Sequence, residues 1–319
     1  MLEPLDDYPE AKKLGVIAQL GQARTWIEGD RHPLVCLPFN RSTPIAYLNA
    51  QHLTETGAKP PTTWSEHRRI ARELTRRTGT RTERYGFGCP ISWWFWVALT
   101  AQAGGRVIER DGRVSLGDDA GVEAVEWWQA MLHEDRSMKR PPGRDYNAWE
   151  ATNQDFLAAR TSMIWTSTAF LKYLEENADF PVLAAPLPGY RRRAVPTGGT
   201  HWVVMRDAPQ AAKDSAWAFL RWVLEPPQVI EWATSTGYMP VTRGAVTELE
   251  RDGYYERHPN DRVAYDQLDV AEPWPWSRWL FRIQREVVQP RLERAVLSSD
   301  RAAPVLDEAR RVAQKEIDS

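Results

Sequence analysis

The chain has 319 residues, 42% hydrophobic and 26% charged, with a net charge of −2 and a pI near 6.3. That balance suits a globular protein of one large or two medium domains and gives no electrostatic footing for nucleic acid or an anionic membrane. No apolar run approaches the ~18 residues of a membrane-spanning helix, and two cysteines, Cys36 and Cys89, with no CxxC and no histidine cluster, leave a zinc site unsupported.

The start, Met1-Leu2-Glu3-Pro4-Leu5-Asp6-Asp7, is acidic and lacks the basic and apolar regions of a signal peptide. Read alone, it points to the cytoplasm. Pro9 to Ala23 is expected to be helical. Leu34-Val35-Cys36-Leu37 is an apolar run of strand type, broken by Asn40-Arg41-Ser42-Thr43. Pro44-Ile45-Ala46-Tyr47-Leu48 is a second extended piece, because Pro44 biases Thr43 away from helix. The pair reads either as a strand–turn–strand within one core or as a chain crossing between two lobes; pattern alone favours the former. Nothing local argues for a Cys36–Cys89 disulfide.

Beyond Pro60-Pro61-Thr62, Thr63-Trp64-Ser65-Glu66 has capping-box spacing. The following helix places His67, Ile70, Ala71 and Leu74 on one face and is expected to end at Gly79, with its arginines on a solvated face. Tyr85–Gly88 reads as a strand, Ser92–Ala103 as a bulky helix, and Asp111-Gly112 as a hairpin turn. Helices follow over 119–133 and 147–159, then a strand at Thr161–Trp165 with Ser167 opening a helix. Pro181–Leu187 and His201–Met205 read as strands, the second preceded by Thr197-Gly198-Gly199-Thr200. Arg191-Arg192-Arg193 is a solvated turn rather than a phosphate loop. Helices fill 208–224, 228–234, 243–250, 261–268, 277–297 and 303–317. The alternation is an α/β pattern, and ligands in such sheets bind beyond strand ends. Ser42, Thr43, Ser167, Gly198 and Gly199 are therefore candidates.

No GxGxxG, GxxxxGK[ST], HExxH or GxSxG occurs, and no carboxylate pair follows an apolar strand. Sixteen tryptophans, many clustered at 93–96, 127–128 and 274–279, suit large cores and also sugar platforms. Core is the favoured reading for each one singly. Hydroxyls, glycines, aromatics and an arginine can bind a polar ligand without transforming it.

The chain resembles the extracellular solute-binding proteins of ABC importers, most of all the sn-glycerol-3-phosphate-binding type. The resemblance is carried by Pro38-Phe39-Asn40-Arg41-Ser42-Thr43-Pro44 with Tyr47 and Asn49, by Pro60-Pro61-Thr62-Thr63-Trp64, and by Gly198-Gly199 with Trp202-Val203-Val204. Thr236-Gly237-Tyr238-Met239-Pro240-Val241-Thr242, Tyr254-Tyr255-Glu256-Arg257-His258-Pro259 and the spacing of the last helices add to it.

The resemblance implies a two-lobe, type II periplasmic-binding-protein-like α/β fold with an incomplete N-terminal lobe. That lobe would be 1–43 plus 200–260 and the C-terminal lobe 44–199 plus 261–319, with crossings near 40–46 and 196–200. It implies a ligand in the inter-lobe cleft touched by Ser42, Trp94, Ser167, Gly199, Tyr238 and Arg285, with Ile91 where the family has a second stacking tryptophan. It implies a monomer that is not an enzyme, needs no cofactor or metal, and delivers glycerol 3-phosphate, a glycerophosphodiester or a related sugar to membrane subunits from outside the cell. It also implies that a front part of a family chain, with its signal peptide and several strands and helices, has no counterpart here. The competing expectations are a carbohydrate-active enzyme and a truncated, non-binding fragment.

Overall fold

The computed structural model describes residues 1–8, 10–18, 20, 33–109, 113–116, 118–141, 146–272, 279–298 and 300–318. In chain order the strands and helices are β1 Cys36–Ser42, β2 Pro44–Asn49, α1 Ala50–Thr56, α2 Trp64–Leu74, β3 Arg76–Thr78, β4 Arg81–Gly88, α3 Trp93–Gln102, α4 Asp118–Gln129, β5 Met138–Lys139, α5 Tyr146–Leu157, β6 Thr161–Ser167, α6 Leu171–Asn177, β7 Val182–Ala185, β8 Val195–Pro196 and β9 Gly198–Val203. They continue with α7 Gln210–Val223, α8 Pro226–Thr236, α9 Arg243–Arg251, α10 Tyr254–Arg257, α11 Pro259–Asp266, β10 Ala271–Glu272, α12 Leu280–Arg282, α13 Gln289–Leu297 and α14 Ala302–Asp318. Contacts divide the chain into unit 1 (Met1–Thr43, Thr168–Lys172, Thr197–Asp269) and unit 2 (Pro44–Ser167, Tyr173–Pro196, Val270–Ser319).

Unit 2 is built on a sheet of order β3-β4-β6-β2-β7, with β5 added to β4. Its central strands β2 and β6 are buried along their whole length, as apolar runs in a sheet covered on both faces must be. Trp93, Trp96, Trp128 and Trp165 are fully buried with Phe87 and Phe95 in the adjoining core. Helix α2 carries the expected capping box: Thr63 Oγ1 accepts from Glu66 N at 3.2 Å and Glu66 Oε2 accepts from Thr63 N at 3.3 Å. The helix ends at Leu74, not Gly79. Thr75 is extended, its Oγ1 donates to Ala71 O at 2.7 Å and accepts from Gly86 N at 3.0 Å. The next residues leave the helix to form the β3–β4 hairpin, and Gly79 at φ +60° belongs to its turn. Arginine and leucine favour helix locally, but pairing with β4 wins.

Arg68 and Arg72 of α2 both bond Asp135, and Arg69 bonds Glu73 at 2.8 Å, so this basic face is ion-paired surface. The Arg191–Arg193 turn is likewise engaged, with Arg191 on Glu123 at 2.7 Å and Arg192 on Glu272.

Unit 1 pairs β1 with β9 antiparallel, Cys36 opposite Val203 and Ser42 opposite Gly198, with a register irregularity between Pro38 and Arg41. Gly198 and Gly199 thus lie inside the strand rather than ahead of it. Helices α7 to α11 complete the unit. The helix expected over Pro9–Ala23 is, in its described part, a 3-10 turn at Ala11–Lys13 followed by Gly15 at φ +63°; residues 9, 19 and 21–23 lie outside the described residues, as do the Asp111-Gly112 turn, Trp274 and Trp276. Cys36 and Cys89 are buried, one in each unit, and are not joined in a disulfide.

Candidate ligand-binding site

In unit 1, the end of β1 gathers three of the six candidate residues. Arg41 stands opposite Gly199 on one edge and bridges Met239 on the other, where Met239 N donates to Arg41 O at 2.9 Å. Ser42, Gly199 and Tyr238 are therefore brought onto neighbouring backbone. Ser42 is buried, and its hydroxyl has no hydrogen-bond partner among the described residues. Gly199 sits at φ +96°, and a Cβ there would lie 1.7 Å from Asn40 O. Only glycine allows this approach of the two strands. Asn40 Oδ1 accepts from Thr200 N at 2.9 Å and locks the same corner. Tyr238 follows Gly237, the left-handed cap of α8 at φ +91°, and its ring stacks 6.2 Å from Trp232.

The strand end is also bound to the other connecting segments of unit 1. Thr168 N donates to Thr43 O at 3.2 Å and Gln267 Nε2 donates to Thr43 Oγ1 at 2.9 Å. Arg41 Nη2 donates to Thr197 Oγ1 at 2.9 Å, and Arg41 Nε is buried without an acceptor. Burial lowers Arg41 to about 10. His201 falls to about 4, chiefly through burial and then through the Arg41 charge. Of these, Thr43 was a candidate from the sequence; Arg41, Thr168, Thr197, His201 and Gln267 were not. Arg41 and Thr197 lie next to Ser42 and Gly198, and Thr168 next to Ser167, whereas Gln267 carried no local signal.

In unit 2, Ser167 closes β6 opposite Pro44 and is buried. It is the last strand residue; a 3-10 turn at Thr168–Phe170 follows. Trp94 lies in the first turn of α3 behind the N-cap Ser92, half-buried, its ring 5.7 Å from those of Phe95 and Trp149. Arg285 lies on a π turn at Ile283–Val288, exposed, its guanidinium 4.7 Å over the Phe281 ring. Among the described residues it forms no hydrogen bond or ion pair. Gln289, one turn on, accepts from Trp93 N at 2.8 Å and donates to Ile91 O at 2.6 Å. That ties the helix bearing Arg285 to the start of α3 and Trp94. Among the described residues no three His, Cys, Asp or Glu side chains group as metal ligands, and no helix is long and apolar enough to cross a membrane.

The chain has the two-lobe α/β fold of type II periplasmic binding proteins. The structure matches UgpB of Mycobacterium tuberculosis, solved in complex with glycerophosphocholine, with a TM-score of 0.84 at 22% identity, covering 99% of this chain and 79% of that one. It matches the GacH receptor of Streptomyces glaucescens at 0.83 and 16% identity, with 100% and 79% covered. The chain belongs to the bacterial extracellular solute-binding proteins, whose family model matches residues 1–260. Among curated relatives, the sn-glycerol-3-phosphate-binding periplasmic protein of Pectobacterium atrosepticum is 23% identical over 257 residues, 77% of this chain and 56% of that protein. The Escherichia coli O1:K1 counterpart is 25% identical over 263 residues, 77% and 58%. The chain thus spans a little over half the length of the curated relatives it matches.

Proposed function

We propose that the chain is the substrate-binding component of an ABC importer and acts outside the cytoplasmic membrane. Its ligand is a polyol phosphate such as glycerol 3-phosphate, a glycerophosphodiester, or a related sugar. The observation that carries this reading is the family match over residues 1–260, joined to a strand end that presents Ser42, Gly199 and Tyr238 together. The Ser42 and Ser167 hydroxyls and Tyr238 exchange hydrogen bonds with ligand hydroxyls, and Gly199 lets backbone approach closely. The Trp94 ring offers an apolar face to ligand carbons. Arg285, an exposed cation with no carboxylate partner among the described residues, grips the phosphate.

The ligand class rests on that arginine. The family relatives named for glycerol 3-phosphate and for glycerophosphocholine support it, while the acarbose complex of the GacH receptor favours a neutral oligosaccharide as the second reading. A thermal-shift panel of glycerol 3-phosphate, glycerophosphocholine, maltose and acarbose tests the function. A concentration-dependent rise in Tm with one class is expected, and a folded protein unmoved by all four contradicts it.

A further inference from the structure

Arg41 is a cation to which the described chain gives no counter-charge. The residue is only 6% exposed. Of its guanidinium donors, one is engaged, Nη2 on the Thr197 hydroxyl at 2.9 Å. Nε is buried without an acceptor, and Nη1 has none among the described residues either. No Asp or Glu acts on the group; the titratable side chains beside it are those of Cys36 and His201. Burial lowers it only to about 10, so it stays a cation at neutral pH.

Other buried charges of the chain are paired. Lys172 meets Asp261 at 2.8 Å, Asp155 meets Arg160 at 2.8 Å, and Asp135 meets Arg68. A buried charge without a partner is among the most costly groups in a fold. Where one stands among otherwise satisfied groups, an ion from outside the chain is the simplest account of it.

Strand register places this group. Arg41 stands opposite Gly199 and Ser42 opposite Gly198. Successive strand residues point to opposite faces, so Arg41 and Ser42 serve different sides of the β1–β9 ribbon. On Arg41's side, the glycine opposite adds no side chain. The residues two steps away on that strand are Thr197 and His201. The Thr197 oxygen accepts from Arg41, and its O–H proton has no acceptor among the described residues, so it remains to donate.

We propose that Arg41 and the Thr197 hydroxyl hold a small free oxyanion, phosphate or sulfate, in unit 1. The unbonded guanidinium N–H groups and the threonine O–H supply the donors, and the cation supplies the charge. The slight exposure of Arg41 limits the anion to a small one. Arg285 lies in unit 2, and the site stands whether or not that residue grips a ligand.

Equilibrium dialysis of the full chain against labelled phosphate, with chloride holding ionic strength constant, tests the proposal. Saturable uptake of one phosphate per chain is expected, competed by sulfate and accompanied by a rise in Tm that saturates with it. Arg41→Met should abolish uptake. Arg41→Lys, which keeps the charge and loses the planar fork, should weaken it about tenfold or more, and it decides the matter should the Met variant not fold. Arg285→Ala should take up phosphate as the wild type does, and excess glycerol 3-phosphate should not displace it there. The proposal is overturned if the wild type takes up no phosphate, if Arg41→Lys binds it as the wild type does, or if Arg285→Ala is the variant that loses it. Displacement by glycerol 3-phosphate in Arg285→Ala would also overturn it, since Arg41 would then take the phosphate of an organic ligand.

Discussion

Arg41 and Thr197 are joined by one hydrogen bond, 2.9 Å from Nη2 to Oγ1, at the point where two strands leave unit 1. It is the buried guanidinium's only side-chain bond among the described residues, and no carboxylate faces it. Burial holds Arg41 near 10, below the usual arginine value. The charge therefore costs stability at every pH below about 10, and relief comes only as pH rises beyond that. Thr197→Val strips a buried cation of its one acceptor and should destabilise by about 1–3 kcal/mol in urea unfolding. The same change in an Arg41→Met background should cost almost nothing. Equal costs in both backgrounds would show that the bond is not the source.

Gly199 is held at φ +96° with its missing Cβ pointing at Asn40 O. Gly199→Ala must both leave a favourable backbone region and push β1 from β9. A loss of more than about 2 kcal/mol is expected, at the severe end for point substitutions. A variant with wild-type unfolding would refute the close approach.

His67 stands fully buried, edge-on to Phe87 at 4.4 Å, with neither ring nitrogen bonded among the described residues. Burial lowers its pKa to about 3. Since the unfolded histidine titrates near 6.5, the unfolded chain takes up the extra proton between those values, and stability falls as pH drops through that window. His52 and His201, each lowered to about 4 mainly by burial, add to the slope. His67→Phe should flatten the fall in stability between pH 6 and 4. An unchanged slope would remove His67 from the account.

Asp261 accepts from Lys172 Nζ at 2.8 Å and from Tyr254 OH at 3.0 Å, with little of either charged side chain exposed. Desolvation first, then the Asp261 charge, raises Tyr254 to about 12. Asp261→Ala removes the carboxylate that Lys172 and Tyr254 share and should cost about 1.5–3 kcal/mol, the range for a hydrogen bond to a charged group. Chemical unfolding of Asp261→Ala alone and with Lys172→Met separates the pair from the packing, since the double variant should recover much of the loss.

Much of this was legible in the sequence, where apolar runs and caps dictated it locally. The runs of β1, β2 and β6, the Thr63 cap and the core tryptophans read directly, and Ser42 and Ser167 followed from lying at strand ends. What was hidden depends on distant pairing. Helix α2 stops at Thr75 because β4 competes for the chain, which no local propensity of Arg76 or Arg77 reveals. Arg41 was visible only as part of a motif. It is buried, and its partner Thr197 lies 156 residues away. The exposed Trp222 and Trp232 look like any other tryptophans until α7 and α8 are set in place.

The central claim is that these residues bind a phosphorylated polyol, and Arg285 tests it most directly. Isothermal titration of wild type and Arg285→Ala with glycerol 3-phosphate, glycerophosphocholine and maltose is the measurement. The charge-assisted bond is worth about 1.5–3 kcal/mol. Saturable 1:1 binding of a phosphorylated ligand is predicted, weakened about ten- to hundredfold by Arg285→Ala, with any binding of maltose unchanged. Equal weakening of phosphorylated and neutral ligands, or no saturable heat from any of them with the folded wild type, would contradict it.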